Sequence, residues 1–153
     1  MEYIKDFENW NNKKKSIESN TYMPYFDIGE IWWCSLGINI GAEVDGKGVD
    51  YLRPVIILAK YNQFGCYIIP LSSARLANKD NIYVGIVQAK QATANLSQTR
   101  SISSKRLIEK IQKIEINQLL SIQKAVIEYN FPLQLFEILP PKNGEQPEGQ
   151  HSN

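Results

Sequence analysis

Arg53 is followed by Pro54 and then by an apolar run, 55–59, that reads as a buried strand. Proline fixes its own φ and biases the residue before it toward extended geometry, so the guanidinium of Arg53 is expected at a strand mouth in a defined pose. A planar, permanently charged group held there suits phosphate, because it binds two oxygens at once. The segment just before it, 37–50, carries Gly37, Gly41, Gly46 and Gly48 together with Glu43, Asp45, Lys47 and Asp50. Glycines let a backbone approach a ligand closely, and a loop of about fourteen residues in a small domain tends to be functional or disordered. A further apolar run, 66–71, ends in the hydroxyls of Ser72 and Ser73.

These groups need a scaffold, and the hydrophobic pattern supplies one. Strands are expected over 31–36, 55–59 and 66–71, the last two joined by a hairpin at 61–65. Trp32 and Trp33 then point to opposite faces, one into the core and the other toward a ligand or a subunit surface. Alternation over 82–87 predicts a half-buried strand, 88–93 reads as a polar mobile loop, and 96–102 reads as the last strand, with Gln98 and Arg100 on one face. Ser103 or Ser104 is placed to cap a short helix through Leu107, and Asn117 a longer one whose Leu119, Ile122, Val126 and Tyr129 form a core-facing stripe. Near the start, Tyr3, Ile4, Phe7 and Trp10 recur at helical spacing over 2–17, so a helix should lay Phe7 and Trp10 on the sheet. The expected organisation is a helical extension and connector (1–25), a barrel domain (26–130), an apolar segment (131–139) and a disordered tail (140–153) rich in Pro, Gly, Glu and Gln.

Composition narrows the function. A chain of 153 residues, 43% hydrophobic and 22% charged, is one globular domain by size. With a formal net charge of +1 it has no global basic field, so any nucleic-acid site must be a local patch. Its one histidine, His151, lies in the polar tail, which leaves the domain no histidine for general-base or zinc chemistry. Cys34 and Cys66 sit inside apolar patterns as buried thiols, and no disulfide framework is expected. Charges near Met1 interrupt any signal-peptide pattern, no stretch is long enough to span a membrane, and a cytoplasmic protein is expected.

The order and spacing of several motifs resemble the MazF/PemK toxin family. They are Gly29-Glu30-Ile31-Trp32-Trp33, then Leu36-Gly37 with Asn39, Gly41 and Glu43, then Arg53-Pro54-Val55, Pro70-Leu71-Ser72-Ser73, Leu96-Ser97-Gln98-Thr99-Arg100-Ser101-Ile102, and Lys105-Arg106-Leu107. The resemblance runs from about Phe26 to Asn130. It implies a mainly β fold, an SH3-like small antiparallel β-barrel of the MazF/CcdB type with helices at its edge, here an N-terminal and a C-terminal helix. It also implies a two-fold homodimer and a cognate antitoxin that inserts a segment into the substrate groove.

The implied activity is sequence-specific cleavage of single-stranded RNA, largely mRNA, with no cofactor and no metal. In that chemistry a ribose 2′-hydroxyl attacks the adjacent phosphorus, and fixed donors stabilise the charge that builds on the phosphoryl oxygens. By the resemblance Arg53 is the catalytic arginine and Ser72 the catalytic hydroxyl, where many members carry threonine. Glu43, Lys47, Ser73, Gln98 and Arg100 are the implied RNA-binding residues. Glu43 reads equally as a surface carboxylate paired with Lys47, and Arg100 as a phosphate ligand or a subunit salt bridge. Lys60 and Arg75 could add charge, and Trp33, Tyr51 and Tyr61 could stack bases. The alternative is a non-catalytic binding module on the same barrel that targets a protein, as gyrase-poisoning relatives do; Arg53 with a hydroxyl at Ser72 is what such a module would not need.

Overall fold

The computed structural model describes residues 2–73 and 78–132. In chain order these form α1 (Phe7–Ser19), β1 (Glu30–Ser35), β2 (Leu52–Asn62), β3 (Gly65–Ser72), β4 (Asn81–Val87), β5 (Lys90–Asn95), β6 (Arg100–Ser103), a single 3₁₀ turn (Ser104–Arg106), β7 (Leu107–Lys113) and α2 (Ile116–Asn130). The strands make one curled antiparallel sheet, a half-barrel of the expected SH3-like kind, in the order β4-β5-β3-β2-β1-β7 with β6 paired to β3. The apolar segment after Pro132, the tail from 140, and Arg75 lie outside the described residues.

The central strands are apolar on both faces because both faces are covered. Side chains alternate along a strand, and here Ile31, Ile56, Leu58, Ile69 and Leu71 join a cluster closed by Leu119, Ile122 and Val126 of α2. The intervening Trp32, Cys34, Val55, Ile57, Cys66 and Ile68 join a second cluster with Phe26, Leu36, Ile102 and Leu107. An uninterrupted run such as Val55–Leu58 is the sequence trace of a strand enclosed in this way. Register shifts in the β1–β7, β2–β3 and β4–β5 pairs add the bulges that bend the sheet.

β3 divides its outer edge between two partners. Gly65 to Ile68 pair with β6, and Leu71 and Ser72 pair with β5 through Ala94 and Thr93. The strand thus ends not on β2, whose last registered pair with it is Val55–Pro70, but on a separate hairpin.

Several local expectations are corrected. Residues 88–93 are not a loop: the chain turns at Gln88 and Ala89, both with positive φ, and continues as β5. Within 96–102 only Arg100 onward is strand, so Gln98 sits in a turn rather than sharing a strand face with Arg100. Leu107, expected to end the short helix, instead begins β7, whose Leu-Ile-Glu-Lys-Ile-Gln-Lys sequence makes an edge strand against β1, and lysines suit such an edge because they discourage further pairing. The short turn is capped by Ser103, which accepts from Lys105 N–H at 3.3 Å. α2 starts at Ile116, so Asn117 lies inside its first turn and is not the cap. α1 starts only at Phe7 because Asp6 caps it, accepting from Asn9 N–H at 3.0 Å. Trp10 is buried, but Phe7 is 47% exposed and does not pack as expected.

Candidate active site

The 36–51 excursion is a folded structure held at its base. Tyr51 C=O accepts from Leu36 N–H (2.9 Å) and Gly37 N–H (3.3 Å), Gly46 N–H donates to Gly37 C=O (2.7 Å), and Lys47 and Leu52 exchange both backbone bonds at 2.8 Å. Gly46 faces the Tyr51 backbone so closely that a Cβ there would lie 1.7 Å from the Tyr51 carbonyl oxygen, which explains the glycine. Asp45 organises the interior. Its Oδ1 accepts from Asn39 N–H at 2.6 Å, and its Oδ2 lies 3.3 Å from Lys5 Nζ.

Arg53 enters this arrangement from β2. Its Nε–H donates to Asp45 C=O at 2.7 Å and its Nη1–H to Leu71 C=O at 3.1 Å. Pro54, which would face Leu71 one step beyond the Val55–Pro70 pair, has no N–H to offer a neighbouring strand. The guanidinium stands in that place and ties the loop to the end of β3. Nη2 has no partner among the described residues, and Arg53 lines the groove beside it. Burial draws its pKa below the ordinary arginine value, against the opposing charge of Asp45, yet an arginine begins so high that it stays cationic.

The groove holds about 590 Å³ between the start of β2, the end of β3 and the β4–β5 turn. Lys47, Arg53, Ser72 and Ser73 all line it, with Trp33 and Pro54 as an apolar wall. The Ser72 hydroxyl is 3.2 Å from the Thr93 hydroxyl on β5. Of the two adjacent tryptophans, Trp32 is buried, donating from Nε1 to Glu30 Oε2 at 2.8 Å, and Trp33 is the one at the groove.

Glu43, Gln98 and Arg100 do not share that groove. They line a smaller polar pocket of about 440 Å³ with Asn39 and Pro70. Each is already engaged there. Glu43 Oε2 accepts from Ile40 N–H at 2.9 Å rather than pairing with Lys47. Gln98 Oε1 accepts from Val44 N–H at 2.9 Å, and Arg100 Nη1 donates to Asn39 Oδ1 at 3.3 Å. The seven expected residues therefore fall into two sets. Lys60, expected as groove charge, instead donates to Phe26 C=O at 2.7 Å, and Tyr61 hydrogen-bonds Ser101 at 2.8 Å.

Two residues enter the site beyond those the sequence placed there, Thr93 and Trp10, the latter expected only to pack on the sheet. Thr93 lay in a segment read as loop, and only its register with Ser72 marks it. Trp10 wedges its ring against Gly37, meets Tyr51 edge-on (centroids 5.2 Å apart, planes at 63°) and lies under the Arg106 guanidinium at 5.5 Å. Arg106 Nη1 in turn donates to Ser35 and Leu36 carbonyls at 3.2 and 3.3 Å, so the loop base, α1 and the 3₁₀ turn are fastened together.

No individual curated protein matches the chain in sequence. Among solved structures, MazF of Deinococcus radiodurans is similar with a TM-score of 0.57 and 18% identity, covering 70% of this chain and 96% of that one. The Mycobacterium tuberculosis toxin MazF-mt6 gives 0.51 and 15%, covering 66% and 95%. An endoribonuclease in complex with its cognate antitoxin from a mycobacterial species gives 0.51 and 12%, covering 76% and 100%. At such identities the likeness establishes the fold alone. The sequence profile of one family matches residues 27–129, most of the described domain, and by that match the chain belongs to the PemK-like, MazF-like toxins of type II toxin-antitoxin systems.

Proposed function

We propose that the protein is a sequence-specific endoribonuclease that cleaves single-stranded RNA without a metal ion, acting as a homodimer and restrained by a cognate antitoxin. The family match and the structural likeness to proteins named as endoribonucleases support this reading. The observation that carries it is the placement of Arg53. Two carbonyls fix its guanidinium, an edge is left toward a groove, and a hydroxyl, Ser72, lines the same groove.

In this reading a ribose 2′-hydroxyl attacks the neighbouring phosphorus, the P–O5′ bond breaks, and the products are a 2′,3′-cyclic phosphate and a 5′-hydroxyl. Arg53 and the Ser72 hydroxyl donate to the phosphoryl oxygens as charge develops. Both are held before the substrate arrives, so little reorganisation is needed. Lys47 and Ser73 lie where a flanking phosphate would run, while Glu43, Gln98 and Arg100 form a polar pocket suited to a base edge.

The test is to incubate purified protein in EDTA with a long unstructured RNA and map the ends. Cuts at one short motif, ending in cyclic phosphates and reduced at least about 10²-fold in Arg53→Ala, are expected. Intact RNA in the presence of folded protein would overturn the reading in favour of a protein-binding module.

A further inference from the structure

A second groove, about 1040 Å³, is lined by Lys47 but not by Ser72. It shares Lys47, Gly48 and Arg53 with the Ser72 groove, so the two grooves adjoin at these residues. Its outer wall is built from the segment that precedes α1, which lies before residue 27, where the family match begins. Lys5 fastens this arm to the loop, donating from Nζ to Asn39 C=O (2.6 Å) and Gly41 C=O (3.1 Å) beside the Asp45 carboxylate.

The lining has the chemistry of a base-stacking site. Tyr3 is 64% exposed on one wall, and Tyr51 stands on the other with its backbone at φ +53°, a left-handed conformation that a bulky residue adopts only where its surroundings impose it. The nearby carboxylates are occupied: Asp45 by Lys5 and Asn39, Asp50 by Lys13 at 2.5 Å, and Asp6 by the cap of α1. Lys47 is exposed and its ammonium has no partner among the described residues, so the cations lining this groove that no carboxylate holds are Lys47 and Arg53, Lys13 being paired with Asp50. Aromatic platforms beside phosphate-binding cations are how single-stranded nucleic acid is held.

We propose that this groove is a flanking-nucleotide subsite, in which a base of the single-stranded RNA packs against Tyr3 and Tyr51, one step along the strand from the phosphate at Arg53. The proposal rests on the reading above. It adds that this chain's own N-terminal arm, not only its barrel, sets how much RNA is gripped.

The test uses the full-length protein and a ladder of RNA oligonucleotides that carry the mapped cleavage site, lengthened one nucleotide at a time on each side. For wild type, kcat/KM should rise about tenfold at one step on one side only, as expected for a single stacked base. In Tyr3→Ala that step should shrink below about twofold, and Tyr3→Phe, which keeps the ring, should restore it. Phe7→Ala, on α1 but outside the groove, should show the wild-type step. Because the readout is a ratio within each variant, loss of folded protein cancels. A step that persists in Tyr3→Ala, or is missing in wild type, overturns the subsite while leaving the nuclease reading intact. The same holds if a poly-glutamate peptide binds wild type but not Tyr3→Ala while the step persists, since the groove then takes acidic peptide. Wild-type protein that cleaves no RNA overturns both.

Discussion

The hydroxyl of Ser72 lies 3.2 Å from that of Thr93, across the two-pair junction of β3 and β5. Serine lacks the β-methyl that would restrict χ1, and the buried Thr93 supplies a partner that narrows its rotamers instead. Thr93→Val keeps the shape and removes that partner. A loss of about fivefold in kcat is expected, as for one hydrogen bond, against about 10²-fold or more for Ser72→Ala. Single-turnover cleavage measures both, and an unchanged rate in Thr93→Val would mean that Thr93 plays no part in aiming Ser72.

Arg53→Lys should be nearly as damaging as Arg53→Ala. One ammonium cannot reach Asp45 C=O and Leu71 C=O and still present a donor to phosphate. We expect cleavage within about tenfold of the alanine variant, from the loss of a fixed transition-state donor. Near-wild-type activity in the lysine variant would show that charge alone suffices.

Glu30 makes stability depend on acid. Burial by itself would raise its pKa, but Lys110 Nζ at 2.6 Å, Trp32 Nε1 at 2.8 Å and Asp27 N–H at 3.0 Å outweigh this, and the net shift is below the ordinary value of 4.5. A depressed carboxylate stabilises the fold fully above its unfolded pKa, and that stability disappears as pH falls through the folded value. Denaturation midpoints should therefore drop as pH falls below the ordinary value of 4.5, and Glu30→Gln should be less stable at neutral pH with a flatter acid profile. Parallel profiles for the two proteins would rule Glu30 out as the source.

The two thiols should be silent in the native state. Burial pushes Cys34 up to about 12 and Cys66 up to about 11, so neither is a thiolate near neutrality. A chromogenic thiol reagent should label neither cysteine until denaturant is added, and then both. Fast labelling of the folded protein would contradict the burial.

Gly37→Ala should detach α1. Gly37 has φ +92°, and a Cβ there would lie 2.2 Å from the Trp10 ring. The indole has to move out, and with it the contacts to Tyr51 and Arg106. Limited proteolysis should cut the variant near α1 much faster than wild type while sparing the sheet. Equal cutting rates would show that Trp10 is not what fastens the helix.

What could be read from sequence follows what burial leaves visible. Val55–Leu58 and Ile68–Leu71 are enclosed on both faces, so their composition announces strands. The middle of β5 is enclosed too, but by Ala92, Thr93 and Ala94, and two alanines, which strands disfavour, leave one threonine too little to mark it. β7 is an edge strand with exposed Ile108, Glu109 and Lys110, and it offers no apolar run. Arg53 was recognisable because Pro54 and the following run fix its setting, whereas its two carbonyl partners come from a loop fold that no local pattern encodes. The separation of Glu43, Gln98 and Arg100 from Ser72 likewise depends on which side of the loop each reaches.

Among the described residues, the hairpin that carries Thr93 is backbone-paired to the rest of the sheet at just Leu71–Ala94 and Ser72–Thr93, and it is also held by α2. Gln118 donates to Val84 C=O, and Tyr129 donates to Asp80 Oδ1 at 2.8 Å, at the residue just before β4. The hairpin thus joins the sheet at the serine of the candidate site and is braced by a helix at its other side. The wall of the groove that carries Gln91 and Ala92 is therefore positioned from outside, by hydrogen bonds that α2 makes to β4 and to the residue before it.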